Sequence, residues 1–299
     1  MSNCPPGNRL PNFLCAFTNR TLALLFLLSA FLLPTSMPAA AADIPTAWPS
    51  LDRGFHLLYE LDFAAAHQVF LTWQQEHPVD PMGSASEAAG LLFAEFNRLG
   101  VLESEFYEND RAFDSRKKFT PDPAVRDRFS AALQQAETRA QARLVQNPND
   151  RDALFAMTLA SGLRADYAAL IEKHNLASLH FTKQATSWAQ QLLTVDPSCY
   201  DAHLATGISQ YLVGSMAVPL RWFVRLSGVS GDKAAGIGEL QLTADRGRYL
   251  APFARILLAI AYVREKDKTQ ARQLLVSLRN EFPSNSLFAR EIGRLDAQR

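Results

Sequence analysis

Few residues in this chain have the type and spacing that chemistry needs. Cys199 and His203 lie four positions apart, which would put a thiol and its base on one side of a helix. Such a pair also needs an orienting group and an oxyanion site, and the flanking sequence supplies neither. His56, His67 and His77 fall 11 and 10 residues apart, which matches no metal-ligand spacing. Gly228-Val229-Ser230-Gly231 misses the G-x-S-x-G nucleophile elbow by one position. Gly236 and Gly238 form a lone G-x-G with no strand before it, better read as small residues at a helix contact. No H-E-x-x-H, P-loop or C-x-x-C occurs. These residues predict no catalytic centre, no metal site and no cofactor; a hydrolase built on Cys199 and His203 stays open as an alternative.

What the chain does have is helical patterning, and Tyr249 to Asn285 shows it best. Pro252 suits a first helical turn. Eight apolar residues follow, Ile256 to Val263, between Arg255 and Arg264. Lys266-Asp267-Lys268 breaks the run, with Asp267 and Gln270 spaced as an N-cap and its capping-box partner. Ala271, Leu274, Leu275 and Leu278 then make one helical stripe, and Phe282-Pro283-Ser284-Asn285 stops it. Two antiparallel helices in about 34 residues, closed by proline, are the tetratricopeptide (TPR) unit. Its W-x2-L-G-x2-Y signature stands here as Arg255-x2-Leu258-Ala259-x2-Tyr262. Its A-x3-F and proline stand as Ala271-x3-Leu275 and Pro283. The chain resembles a TPR protein of exported bacterial type with divergent repeats.

The same pattern recurs upstream in weaker form. Gly54, Ala66, Phe70 and Pro78 fall at the repeat's positions, with Glu60-Leu61-Asp62 as the turn. Helices are expected at Ser84–Leu99, from Pro123 to about Gln146, and at Asp152–Leu163. Three more are expected at Leu176–Val195, Tyr200–Val213 and Asp232–Asp245. Three connections are too long for ordinary repeat turns: 100–123, 164–174 and 214–231. Arg116-Lys117-Lys118 reads as a solvated loop, or as a contact for an anionic partner. Four stop signals, Pro78, Pro148, Pro197 and Pro283, mark about five helix pairs. The final helix, 286–299, places Leu287, Ile292 and Leu295 on one side and is the cap that a solenoid end requires. The resemblance therefore implies an all-α, antiparallel helix-pair, right-handed solenoid with insertions, spanning 43–299.

Residues 1–42 are set apart from that domain. Arg9 and Arg20 are their only charges, Thr21 to Leu33 is apolar, and Ala39 to Ala42 form a small-residue site. This is the pattern of a secretory signal peptide. A retained membrane anchor is the alternative, although the apolar run falls short of the roughly 20 residues that a span needs. Export to the periplasm or cell envelope is expected. Acidic and basic residues number 30 each, so no basic excess suits a nucleic-acid backbone. Cys4 and Cys15 lie in the leader, and Cys199 alone cannot form an internal disulfide.

The resemblance implies binding rather than catalysis: the first helix of each pair lines a concave face that holds a partner segment. On this chain it places Phe155, Leu159, Leu204, Ile208, Tyr211, Ile256, Ile260 and Val263 there. These side chains are apolar, so a carboxylate-binding version of the groove is not implied. Trp222 and Phe223 join the candidate contacts from the insertion. That segment, 215–229, is too apolar for an ordinary loop. It would fold back to fill the concave face, or stay exposed as a peripheral membrane or partner contact. The expected function is a non-catalytic scaffold that binds a protein or peptide. The alternative is a carrier that holds an apolar small molecule or lipid between its helices.

Overall fold

The computed structural model describes residues 50–102, 119–216 and 231–297. Residues 1–49, with the expected signal peptide, and Arg116–Lys118, Trp222, Phe223 and Gly228–Ser230 lie outside the described residues. Every described element is helical, and consecutive helices pack as antiparallel pairs. The first pair is α1 (Ser50–Tyr59) with α2 (Phe63–Glu76), and the second is α3 (Pro81–Arg98) with α4 (Pro123–Gln146). The third joins α5 (Arg151–Asp166) to α6 (Asn175–Val195), and the fourth joins α7 (His203–Ser215) to α8 (Lys233–Arg246). The fifth is α9 (Ala251–Arg264) with α10 (Lys268–Glu281), capped by α11 (Ser286–Ala297). This is an all-α helical-repeat solenoid with insertions, as the sequence pattern implies.

Local chemistry explains where these helices begin. Aspartate carboxylates at 62, 80, 122, 150, 232 and 267 each accept a backbone N–H of the following first turn, at 2.8–3.0 Å. Such caps contribute about 1 kcal/mol each. Asp80 and Pro81 together start α3 three residues before the expected Ser84, because proline's missing N–H is harmless at a first turn. Asp232 is likewise a cap rather than the first residue of α8.

The connections follow two rules. Four turns leading out of a second helix, those after α2, α4, α6 and α10, carry a proline at their second position. Their closing bonds are Asp80 N–H to His77 O, Asp150 to Asn147, Cys199 to Asp196 and Asn285 to Phe282, at 3.0–3.1 Å. Turns inside the first, second and fifth pairs instead end the first helix with one left-handed residue. Leu61 (φ 64°), Gly100 (φ 73°) and Lys266 (φ 66°) occupy that place. The next N–H reaches back five residues, from Asp62 to Leu57, Val101 to Phe96 and Asp267 to Tyr262. This is the Schellman geometry. So α3 ends in an ordinary repeat turn, and the long 103–118 insertion follows it.

The third pair departs from expectation. Its opening helix does not stop at Leu163 but runs to Asp166 and continues as a π-helical turn, Tyr167–Ile171. The left-handed Lys173 then closes it. Most of the expected 164–174 loop is thus helical. Ala153 to Thr158 are all buried, since α5 packs against α3, α4 and α6 together. Its continuous apolar character reflects burial on nearly every side.

Close packing accounts for the small residues. A Cβ on Gly54 would sit 2.2 Å from the Phe70 ring, so glycine there lets α1 and α2 meet. Gly236 faces the Tyr211 backbone, where a Cβ would come within 2.5 Å, whereas Gly238 faces open space. On α11 the buried stripe is Phe288, Glu291, Ile292 and Leu295. The expected Leu287 is only half-buried, and Glu291 is turned inward, where it pairs with Arg294 at 3.2 Å.

The array also closes on itself. The Tyr59 hydroxyl donates to the Tyr249 carbonyl at 3.0 Å, and Asn285 Nδ2 donates to the Tyr59 carbonyl at 2.8 Å across 226 positions of sequence. Ser284 N–H meets Glu60 at 2.9 Å, and Arg248 pairs with Asp52 at 2.7 Å. Phe55 packs on Tyr249 and Tyr59 on Phe282. The fourth linker between pairs lacks a proline, and a remote residue replaces it. Asp201 accepts the N–H groups of Arg248, Tyr249 and Leu250 at 2.9–3.2 Å, which caps α9 from the preceding pair.

Two outcomes are expected. Lys266→Gly should stabilise by about 1 kcal/mol, because a side chain in the left-handed region is strained and glycine is not; a lower melting temperature would contradict the turn assignment. Asn285→Ala should cost about 1–3 kcal/mol, since it leaves the buried Tyr59 carbonyl unpaired. Chemical denaturation checks this, and an unchanged midpoint would mean the closure contributes nothing.

Candidate functional site

The first helices of the pairs, α1, α3, α5, α7 and α9, with α11, turn one face towards the interior that the closure encloses. They do not fill it. One cavity lies among α1, α3, α5, α6, α7 and α9, with Phe55, Tyr59, Phe93, Phe155 and Phe253 as its aromatic walls. A second adjoins it among α1, α3, α9, α10 and α11, with Ile256, Ile260, Val263, Leu287 and Phe288. Leu58, Tyr59, Phe93 and Phe253 line both. Each offers about 90 Å³ to the centres of water-sized molecules, several times what one ordered water occupies.

The sequence-predicted contacts divide between these spaces. Phe155, Leu159, Leu204 and Ile208 line the first cavity, and Ile256, Ile260 and Val263 line the second. Tyr211 lines neither: it is buried where its backbone meets Gly236 of α8. This displacement has a geometric cause. Tyr211 follows Leu204 by seven positions, but the close α7–α8 approach at Gly207 and Gly236 turns that part of the helix towards its partner. Of the segment 215–229, only Ser215 and Met216 are among the described residues.

The residues singled out for chemistry do not converge. Burial pushes the Cys199 thiol up to about 11, so little reactive thiolate is present near neutral pH. His203 Nδ1 lies 2.5 Å from Glu239 Oε2, which also accepts from Thr206 at 3.0 Å. His67 Nδ1 lies 2.7 Å from Glu87, whose carboxyl burial raises above its ordinary range. His77 stacks on Trp73, their centroids 3.9 Å apart, and His56 packs beside Phe282. Among the described residues no three His, Cys, Asp or Glu side chains form a group that could hold a metal ion.

Sequence reasoning missed the polar group that faces the first cavity. Asp166 lines it, and among the described residues its carboxyl has no hydrogen bond or ion pair. Burial alone, with no cation or donor opposing it, pushes its carboxyl up to about 7. Yet the residue keeps a moderate accessible surface. The two facts agree if that surface opens into the cavity, with protein enclosing the rest. The pattern held a trace of this. Phe155, Leu159, Gly162 and Asp166 recur at helical spacing, so extending α5 past Leu163 brings Asp166 onto its inward stripe.

A raised carboxyl pKa makes folding proton-linked. An unfolded aspartate titrates near 3.9, so between about pH 4 and 7 the native state keeps a proton that the unfolded chain releases. Stability contributed at this position is therefore present at low pH and declines as pH rises through that window. Asp166→Asn removes the decline. Its melting temperature should exceed that of the parent by more at pH 8 than at pH 5, and an equal difference at both would refute the assignment.

No protein-family profile matches the chain, and no curated protein does. Among solved structures, the chain is similar to a thermophilic TPR protein of Thermus thermophilus. The two are 15% identical, with a TM-score of 0.42 over 82% of this chain and 96% of that one. The architecture of this chain therefore rests on its own helix pairing, turn geometry and inward-facing first helices.

Proposed function

We propose that the chain is a non-catalytic interaction scaffold of the cell envelope whose inner face receives apolar side chains of a partner protein segment. The observation that carries this reading is the second cavity. Its walls include half-buried apolar side chains, Ile256, Ile260 and Val263 on α9 and Leu287 on α11. They sit on the inner helices, where a repeat scaffold holds its partners. Val79, Val145 and Leu242, large apolar side chains exposed elsewhere, line neither cavity. The protonated Cys199 and the engagement of His203 with Glu239 also favour binding over catalysis.

The cell-envelope assignment draws support from the apolar run Thr21–Leu33 and the small-residue site Ala39–Ala42. A second reading, a carrier of an apolar small molecule, is favoured by the aromatic walls of the first cavity.

The test is a photo-crosslinking side chain placed at position 260 in intact cells and, as control, at Leu242 on the outer layer. A discrete protein adduct should form from 260 and not from 242, and Ile260→Asp should remove the complex while the protein stays folded. Equal adducts at both positions, or none at 260, would overturn the partner reading. N-terminal sequencing of the exported protein should begin near Asp43; an intact Met1 would overturn the export assignment.

A further inference from the structure

The polar groups around the first cavity are nearly all committed. The Thr158 hydroxyl donates to the Leu154 carbonyl and the Thr182 hydroxyl to Ser178, each at 2.9 Å. Tyr59 donates to Tyr249 at 3.0 Å, and Asp201 is held by the backbone N–H groups that start α9. Among the described residues no lysine or arginine lines the space. Arg164, two residues from Asp166, is engaged by Glu137 at 2.7 Å. Asp166 is thus a carboxyl set among aromatic walls with no counter-ion among the described residues. Packing alone would favour an apolar residue there, because a buried acid without a partner destabilises the fold.

We propose that this cavity is a binding site for an apolar molecule bearing a single ammonium group, with Asp166 as its counter-ion. An ammonium supplies the one element the site lacks, a positive charge with donors that the carboxylate can accept. The rings of Phe55, Tyr59, Phe93, Phe155 and Phe253 suit both halves of such a ligand. Their surfaces accommodate the apolar body, and their negative faces attract the cation. An alcohol would gain one hydrogen bond and no charge pairing, and a carboxylate would set a second acid beside the first. The space of about 90 Å³ is continuous in its walls with the second cavity of the same size, Leu58, Tyr59, Phe93 and Phe253 lining both. Together they set the scale at a single aromatic ring with a short chain. Protons balance simply. Where Asp166 carries a proton, the arriving ammonium displaces it to solvent and the pair that forms is carboxylate with ammonium. Tyr59 and Asp201 are the other titratable groups lining the cavity among the described residues. Tyr59 stays protonated near neutral pH because burial raises its pKa, and Asp201 is already bonded to backbone.

This inference is separate from the partner reading, because it concerns the other cavity and does not depend on Ile260. The test is isothermal titration calorimetry at pH 7 on the purified chain with 3-phenylpropylamine, 3-phenylpropanol and 3-phenylpropanoate. Two buffers of different ionisation enthalpy are used. The amine should bind at least about tenfold more tightly than the alcohol, a gap of roughly 1.4 kcal/mol, and more tightly than the acid. It should release a measurable fraction of a proton. Asp166→Asn should bring the amine down to the level of the alcohol. Gly162→Leu should block all three ligands in a folded protein, since a Cβ at Gly162 meets nothing within 4 Å and so projects into open space. Failure of the amine to bind, equal binding of alcohol or acid, an amine preference that survives Asp166→Asn, or amine binding undiminished in Gly162→Leu would each overturn the assignment.

Discussion

The contact on which the rest depends is the closure around Tyr59. A stack of helix pairs is by nature one-dimensional, with each pair touching its neighbours and the two ends indifferent to each other. Here the end of α1 is bonded through the Tyr59 hydroxyl to the linker before α9, and through its carbonyl to Asn285 before α11. Each bond is modest in isolation. Their effect is topological: they draw the inner faces of the first helices together around a partly enclosed interior, which the two cavities leave incompletely filled. Asp201 belongs to the same device, because it fixes the linker whose Tyr249 carbonyl receives Tyr59.

Much of the scaffold was legible because its determinants are local. A proline at a turn's second position, an aspartate at an N-cap and an apolar stripe at helical spacing each act within a few residues, and each recurs along this chain. The helix at Leu176–Val195 differed from expectation by a single residue for that reason. Boundaries slipped where a determinant is read differently: Asp80 and Asp232 are caps outside their helices, and α5 continues past Leu163 through a π-helical turn.

The site was legible only in part, and the reason is physical. The resemblance to a repeat protein assigns apolar side chains on first helices to the inner face, and Phe155, Leu159, Ile256 and Ile260 from that assignment line the cavities. Nothing local indicates that α1 returns to the far end, so Tyr59, Phe93 and Phe253 gave no sign of meeting across the interior. Asp201 looked like one more polar residue near a stop signal, yet its partners lie nearly fifty positions on. Tyr211 shows the converse: the helical spacing was right, but the close approach of α8 at Gly236 took that residue out of the interior.

The two kinds of turn described above have a further consequence. In a stack of antiparallel pairs every within-pair turn lies on one edge, and every linker between pairs lies on the other. The linker edge is tightly specified, with four-residue proline turns or the Asp201 cap leaving no slack. The opposite edge holds the connections that vary, from the tight turns at Leu61 and Lys266 to the long ones after α3 and α7. Gly214 and Gly231 show how this is managed. A Cβ on Gly231 would come within 2.4 Å of the Gly214 backbone, so the chain leaves and re-enters the helical layer at nearly the same point. The close approach of Gly214 and Gly231 sets where α7 and α8 meet whatever the length between them, so one border of the molecule is free to diversify while the other keeps the register.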